Sequence, residues 1–219
     1  MDNQKFCFII CTNHEIYEKE CIHYIEMLHI PKGYEIDVLC IKGATSMTSG
    51  YNEGMKNTDA KYKIYLHQDV FIINQNLLYD ILKLCEDETV GMIGVVGNLT
   101  FRDVRLNQTE GVVGTVYLDS ILFAKSCLYG IAKADYCEVE VLDGLLMITQ
   151  FDLPWREDIF TKWDFYDCSQ SREYQRKGYK VVVPKMEMPW CIHDLGFLNL
   201  EHYHSERETY IKEYKEFVD

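Results

Sequence analysis

Residues 62–69 read YKIYLHQD, a short apolar run that stops abruptly at three polar residues, His67, Gln68 and Asp69. A run of this length and composition predicts a buried strand over residues 62–66, of the kind found inside parallel sheets. In an open α/β sheet, ligands bind beyond the carboxyl ends of the strands. The polar triplet therefore indicates where a functional site would lie.

Segments with strand and helix character alternate along the rest of the chain. The predicted strands are residues 6–11, 35–41, 90–96, 114–118, 139–148 and 179–183, and the predicted helices are 15–28, 48–57, 76–85, 120–129, a segment within 163–177 and a polar tail from 201. Residues 98–108 are polar and irregular, so we expect a loop there. The alternation predicts one α/β domain whose central sheet is mostly parallel, Rossmann-like and flanked by helices.

The charge and the cysteine content narrow the classes of function. The formal net charge is −13 and no basic stripe offsets it, which argues against a nucleic-acid partner. The nine cysteines are scattered, odd in number and never in a CxxC pair, a pattern typical of a reducing compartment. The first apolar run is too short for a signal peptide, and no stretch approaches the ~20 apolar residues of a membrane span. We therefore expect a cytoplasmic protein.

His67 and Asp69 are candidate metal ligands, because residues at i and i+2 at a strand end can reach one cation together. Oxygen ligands suit Mg²⁺ or Mn²⁺, and a nitrogen ligand favours Mn²⁺. The alternative is a turn that happens to carry polar residues. His193, within WCIHD at residues 190–194, is a candidate third ligand, although a lone histidine is more often a hydrogen-bonded structural residue.

Two acidic positions are candidate active-site groups. Asp167 opens an amphipathic helix that ends at Gly178, and its carboxylate either caps that helix or, if it points into a cleft, acts as a general base. Asp143 and Gly144 interrupt an apolar stretch. A carboxylate among Leu and Val is costly to bury unless it is satisfied, and glycine permits a bulge or the close approach of a ligand. This pair is therefore a candidate substrate contact.

Taken in order, three segments resemble the family 2-like glycosyltransferases with the GT-A fold, especially their short bacterial members. FIICTN at residues 8–13 resembles the strand and turn that cradle the nucleotide. Residues 51–69, YNEGMKNTDAKYKIYLHQD, resemble the Asn-x-Gly helix and the strand that ends in an Asp-x-Asp metal motif. Residues 165–184, FYDCSQSREYQRKGYKVVVP, resemble the Glu-Asp segment that leads through a helix to a glycine and a buried strand. The resemblance runs from about Phe6 to about Gly196, nearly the whole chain.

The resemblance implies a role for each matching residue. Asp69 takes the place of the metal-binding Asp, and His67 stands where the first Asp of that motif is usual. His193 resembles the metal-binding histidine of many such enzymes. Asp167 takes the position of the general base, and Tyr166 replaces the Glu before it. Contacts with the nucleotide or the sugar are implied for Cys11, Thr12, Asn13, Asn52, His67, Asp143 and Gly144.

The expected activity is the inverting transfer of a sugar from a nucleotide-sugar donor to a hydroxyl of a carbohydrate or other acceptor, dependent on Mn²⁺ or Mg²⁺. A bound cation would also offset the repulsion between this acidic protein and its anionic donor. Residues 1–97 would form the nucleotide-binding half, 98–200 the sugar and acceptor half, and 201–219 a C-terminal helix. The aromatic segment 203–217 of that helix would offer a contact between two copies in a homo-oligomer.

Other classes of protein stay open at this point. A nucleotidyltransferase shares the layout, but it would need a basic residue near the first turn, where only Lys19 is available. A non-catalytic nucleotide-sugar binding protein with a degenerate transferase fold is consistent with His67 and Tyr166. A generic α/β interaction domain leaves Asp69 and Asp143 unexplained.

Overall fold

The computed structural model describes residues 1–102, 104, 111–120, 123–130, 134–196 and 199–218. Its strands are β1 (Asp2–Thr12), β2 (Glu35–Lys42), β3 (Ala60–His67), β4 (Val70–Ile72), β5 (Val90–Gly94), β6 (Val96–Asn98), β7 (Val112–Ser120), β8 (Phe123–Gly130), β9 (Tyr136–Glu138), β10 (Val141–Leu142), β11 (Leu146–Thr149), β12 (Lys180–Pro184) and β13 (Cys191–Asp194). Its helices are α1 (Glu15–Glu26), α2 (Met47–Lys56), α3 (Leu77–Leu84), α4 (Tyr166–Arg176), α5 (Tyr203–Glu213) and α6 (Lys215–Val218). Within these ranges, no helix has both the length and the apolar composition that crossing a bilayer requires.

The main sheet has seven strands in the order β2-β1-β3-β11-β5-β12-β9. β1 pairs in parallel with both β2 and β3, so that Ile9 lies opposite Leu39 on one side and Tyr65 on the other. β12 pairs in parallel with β5, whereas β11 and β9 run antiparallel to their neighbours. Residues 6–10 are fully buried, as expected for a strand covered on both faces. The prediction of a mostly parallel α/β sheet is confirmed.

A second sheet of six strands lies beyond the end of β3. Its order is β10-β6-β7-β13-β4, with β8 beside β7. The chain passes from β3 of the main sheet to β4 of the second sheet through Gln68 and Asp69 alone. β13 pairs antiparallel with β4 and in parallel with β7. The polar triplet therefore lies where the chain changes sheets, with β13 next to it.

Two sequence predictions about segments that contribute to this second sheet are wrong. The predicted strand 139–148 is interrupted, because Asp143 Oδ1 accepts the Leu145 N–H at 3.1 Å and closes a turn between β10 and β11. The predicted helix 120–129 is a strand, since the backbone of β8 pairs antiparallel with β7. Pairing with β7 outweighs the helical spacing of its apolar residues. Most of the predicted loop 98–108 lies outside the described residues.

The C-terminal tail packs on its own chain. Tyr210 and Tyr214 are fully buried. Their rings contact those of Phe165 and Phe160, with centroid distances of 5.4 and 6.4 Å. The Arg172 guanidinium donates to the Tyr210 hydroxyl at 3.0 Å. The expectation that these aromatic residues are exposed to a second copy is therefore wrong for Tyr210 and Tyr214.

Candidate active site

Three side chains with metal-binding atoms meet at the end of β3. His67 is the last residue of β3, Asp69 follows in the turn, and His193 lies in β13 opposite Val70. Asp194 donates its backbone N–H to the Asp69 carbonyl at 2.9 Å, which holds β13 against the turn. His193 Nε2 lies 3.6 Å and His67 Nδ1 lies 3.9 Å from Asp69 Oδ1. The three ligand atoms all lie within 4.8 Å of one another.

The protonation states of these groups fit a divalent cation. Burial lowers the pKa of His67, and the charge of His193 lowers it further, so the His67 ring is neutral near pH 7 and has a lone pair to donate. Burial alone would raise the pKa of Asp69. The close approach of the His193 and His67 imidazoles outweighs burial, so the pKa of Asp69 is lowered and its carboxylate is ionised. Two imidazole nitrogens and one carboxylate oxygen form a donor set that suits a transition-metal ion.

The other ring nitrogen of His67 is held by Tyr166. The Tyr166 hydroxyl is hydrogen-bonded to His67 Nε2, and the two ring centroids lie 6.2 Å apart. Gly144 leaves the space that this hydroxyl needs, because a Cβ at position 144 would overlap it. Packing against Tyr166 therefore explains why residue 144 is glycine. The sequence had indicated a substrate contact at this position.

Asp167 lies in the first turn of α4 and faces the turn that follows β10. Its Oδ2 accepts the Gly144 N–H at 2.9 Å, and its Oδ1 accepts the Cys168 N–H at 2.7 Å. Burial raises the pKa of Asp167 to about 7, and the negative charge of the exposed Asp143 adds to the rise. The two backbone N–H groups oppose this rise by stabilising the carboxylate. A carboxyl group that ionises near pH 7 suits general-base catalysis.

A cavity of about 480 Å³ adjoins the candidate metal ligands His67 and Asp69. It lies at the carboxyl ends of β1, β2 and β3, where parallel sheets bind ligands. Cys11, Thr12 and Asn13, the predicted nucleotide contacts, line the same cavity as His67 and Asp69. The remaining lining residues are Ile41, Gly43, Ala44, Met47, Gln68, Trp163, Asp164, Asn199 and His202.

Gln68 connects the loop at the end of β1, residues 12–14, to the turn that carries the candidate metal ligand Asp69, a role that its sequence position did not predict. Its Oε1 accepts hydrogen bonds from Thr12 Oγ1, the Asn13 N–H and the His14 N–H, each at 3.0 Å. Its Nε2 donates to Asn13 Oδ1 at 2.8 Å. The residue between His67 and Asp69 thus fixes the end of β1 relative to these two candidate metal ligands.

Asn52 is placed away from this cavity. It is buried, and its side-chain amide donates to the Trp155 carbonyl and accepts the Trp155 N–H, both at 2.9 Å. Its amide is therefore committed to the backbone of another segment. Conversely, Trp163, Asp164 and His202 line the cavity although they lie far from β1 in sequence. Their only sequence signal is an aromatic or polar side chain beside the start of a helix.

The fold and the site together define the class to which this protein belongs. Residues 7–214 match a family described as "Glycosyltransferase like family". Because the match covers nearly the whole sequence, the chain belongs to this family. No curated protein matches the sequence. The prediction of a glycosyltransferase is confirmed at the level of family.

Solved structures of glycosyltransferases share the fold. The mannosyltransferase PcManGT from Pyrobaculum calidifontis, in complex with GDP-Man and Mn²⁺, matches 94% of this chain and 60% of its own, with a TM-score of 0.57 and 12% identity. A fragment of S. aureus TarS in complex with UDP matches 92% of this chain and 62% of its own, with a TM-score of 0.54 and 12% identity. A mutant Drosophila β1,4-galactosyltransferase 7, in complex with manganese, UDP-Gal and xylobiose, matches 94% of this chain and 75% of its own, with a TM-score of 0.55 and 12% identity.

These similarities define the fold and its extent. This chain spans 60% and 62% of the length of PcManGT and the TarS fragment. At 12% identity the likeness establishes the architecture alone. The architecture is the GT-A glycosyltransferase fold that the sequence predicted.

Proposed function

We propose that the protein is an inverting glycosyltransferase that moves a sugar from a nucleotide-sugar donor to an acceptor hydroxyl and uses a divalent cation. The observation that carries the proposal is the approach of Asp69, His193 and His67 to within 4.8 Å of one another beside the cavity. Its volume of about 480 Å³ lies in the ~300–1,000 Å³ range of small-molecule sites. Mn²⁺ accompanies GDP-Man or UDP-Gal in two proteins of the same fold, which supports a cation of this kind.

The nucleotide would lie between the ends of β1, β2 and β3. Cys11, Thr12 and Asn13 would contact it, while Gln68 holds this loop against the metal-binding turn. When bound, the cation neutralises the diphosphate and stabilises the departing nucleoside diphosphate. In this proposal residues 1–97 bind the nucleotide, and residues 98–200 bind the sugar and the acceptor.

Asp167 would act as the general base. It would remove the proton of the acceptor hydroxyl, and the resulting oxygen would attack the anomeric carbon from the face opposite the diphosphate. The bond from that carbon to the diphosphate oxygen breaks as the new glycosidic bond forms, so the configuration inverts. Asp143 is exposed beside Asp167, where it would face the sugar.

A thermal-shift screen followed by turnover tests this function. Nucleoside diphosphates are compared with Mn²⁺, with Mg²⁺ and with chelator, because a ligand that binds the folded state raises its apparent stability. Each matching nucleotide-sugar is then assayed for transfer and for hydrolysis. We expect cation-dependent stabilisation in the wild type, and cation-dependent turnover that Asp167→Asn abolishes without losing the stabilisation.

The same experiment separates the second candidate function. The replacement of two family carboxylates by His67 and Tyr166 favours a non-catalytic nucleotide-sugar binding protein as the alternative. Cation-dependent stabilisation of the wild type without turnover of any donor would support that alternative. The absence of stabilisation by every nucleotide would reject both.

A further inference from the structure

The hydroxyl of Tyr166 has no role in the proposed transfer reaction, yet it engages a candidate metal ligand. It is hydrogen-bonded to His67 Nε2. The other ring nitrogen, Nδ1, therefore faces Asp69 Oδ1 at 3.9 Å, and the His67 ring stands edge-on to that of His193 with centroids 5.5 Å apart. In a neutral imidazole, the hydrogen bond made by one nitrogen decides whether the other can bind a metal.

Tyr166 cannot easily move away from His67. Its side chain is buried, and its ring packs against Tyr51 and Trp155 with centroid distances of 5.9 and 6.2 Å. The space beside its hydroxyl exists only because residue 144 is glycine. The preceding residue, Phe165, has a positive φ of 57°, a backbone conformation that non-glycine residues adopt only when their surroundings impose it. The hydroxyl is thus held in one place by packing.

We propose that Tyr166 is the positioning residue of the metal site and that the site selects a transition-metal ion of the Mn²⁺ or Co²⁺ kind over Mg²⁺. In this proposal the Tyr166 oxygen accepts the Nε2 proton of His67, which would leave the Nδ1 lone pair free to bind a cation beside Asp69. This inference rests on the proposed function, because the bound cation is part of that proposal.

The selectivity follows from the donor set. His67 and His193 contribute nitrogen, and Asp69 is the one carboxylate in this group of three. Mg²⁺ prefers oxygen ligands and gives up its water reluctantly, whereas imidazole suits the transition metals. Without the Tyr166 hydroxyl, the His67 ring is free to flip, so that either nitrogen faces Asp69, and either nitrogen can carry the proton. Loss of such an orienting hydrogen bond typically costs 10–100-fold in metal affinity.

The test is calorimetric titration of the full chain with Mn²⁺, Co²⁺ and Mg²⁺, each alone and with UDP present. The variant is Tyr166→Phe, and the matched control is Tyr51→Phe. Tyr51 lies in the same aromatic cluster and is fully buried, and within the described ranges its hydroxyl has no hydrogen-bond partner. We expect the wild type and Tyr51→Phe to bind Mn²⁺ and Co²⁺ at least about tenfold more tightly than Mg²⁺.

Tyr166→Phe should weaken Mn²⁺ and Co²⁺ binding by about tenfold or more and narrow their advantage over Mg²⁺. Long-range ¹H–¹⁵N spectra should show His67 protonated on Nε2 in the wild type and a mixture of tautomers in the variant. A change in packing alone would not alter the order of the metals or the tautomer.

A second variant covers the case in which Tyr166→Phe folds poorly. His67→Asp leaves Tyr166 in place and replaces a nitrogen donor with oxygen, so the ratio of Mn²⁺ to Mg²⁺ affinity should fall by about tenfold. Unchanged Mn²⁺ affinity and His67 tautomer in folded Tyr166→Phe would overturn the positioning role of Tyr166, and an unchanged ratio in His67→Asp would overturn the selectivity. Either result, with Mn²⁺ bound by the wild type, would leave the proposed function standing. A wild type that binds none of the ions, with or without UDP, would overturn the metal-dependent function as well.

Discussion

The raised pKa of Asp167 makes the stability of the protein depend on pH in a way that Asp167→Asn should remove. Asparagine keeps the size of the side chain and one oxygen acceptor, but it never ionises. In the folded protein the pKa of Asp167 is raised from 3.8 to about 7. The folded state therefore holds the proton more tightly than the unfolded chain does, and ionisation reduces stability as the pH rises from 3.8 through 7.

The size of the effect follows from that shift. One pKa unit corresponds to about 1.4 kcal/mol, so the full difference is on the order of 4 kcal/mol above pH 8. At pH 5, about one pH unit above the ordinary pKa of an aspartate, the loss of stability is only about 1.5 to 2 kcal/mol. The wild type should therefore lose about 2.5 kcal/mol relative to Asp167→Asn between pH 5 and pH 8. For a chain of this length, that corresponds to a change of about 5–10 °C in the difference between their melting temperatures.

The measurement is thermal unfolding of both proteins at half-unit steps from pH 4.5 to 8.5. Asp135→Asn is the control, because it removes one negative charge from a side chain that is 79% exposed and whose only ion pair within the described residues is an exposed one with Lys83. A difference in melting temperature that stays constant across the range would refute the raised pKa of Asp167. The argument that Asp167 is a base tuned to neutral pH would then fail with it.

Four further outcomes follow from the site. If Asp167 is the base, log(kcat/KM) for transfer should rise with a slope near one below about pH 7 and then level off, because only the ionised form accepts a proton; a flat profile would count against the assignment. Asp69→Ala should abolish the Mn²⁺-dependent part of the stabilisation by nucleoside diphosphates in a thermal-shift assay, and an unchanged shift would exclude Asp69 as a ligand. Gly144→Ala should destabilise the protein by about 1–3 kcal/mol in denaturant titrations, because the new methyl group meets the Tyr166 hydroxyl; wild-type stability would show that the site tolerates it. Gln68→Ala should weaken nucleotide binding by calorimetry more than it lowers the melting temperature, because it releases the loop at the end of β1; unchanged affinity would contradict that role.

Much of the fold could be predicted because buried parallel strands have a simple signature. The apolar runs at residues 6–11 and 62–66 correspond to β1 and β3, and both are covered on two faces. The prediction failed where one local pattern suits two structures. Residues 120–129 have helical spacing, but the hydrogen bonds of β8 are made with β7, and a pairing partner cannot be read from a single segment.

The candidate site also contains residues whose positions the sequence predicted and one whose contacts it did not. The positions of Asp69, His193 and Asp167 were predicted from their order and spacing within a family pattern, and the structure brings the first two to 3.6 Å. Asn52 matched the same pattern, yet its amide bonds to the backbone of Trp155, more than a hundred residues away. Contacts of this kind depend on the packing of distant segments, for which a motif carries no information.

His67 and Tyr166, the two departures from the family pattern, can be interpreted together only from the structure. Read separately, His67 and Tyr166 each remove an acidic residue, which favours a degenerate site. They lie 99 positions apart, yet their side chains satisfy each other. Tyr166 without His67 would leave a buried hydroxyl unpaired, at a cost of about 1–3 kcal/mol, and His67 without Tyr166 would leave a partly buried ring nitrogen unpaired. The pair is therefore one compensated unit that keeps a nitrogen donor directed at Asp69. A site that had simply lost its function would have no need to preserve that direction, so the pairing weighs towards an active site that binds a transition-metal ion.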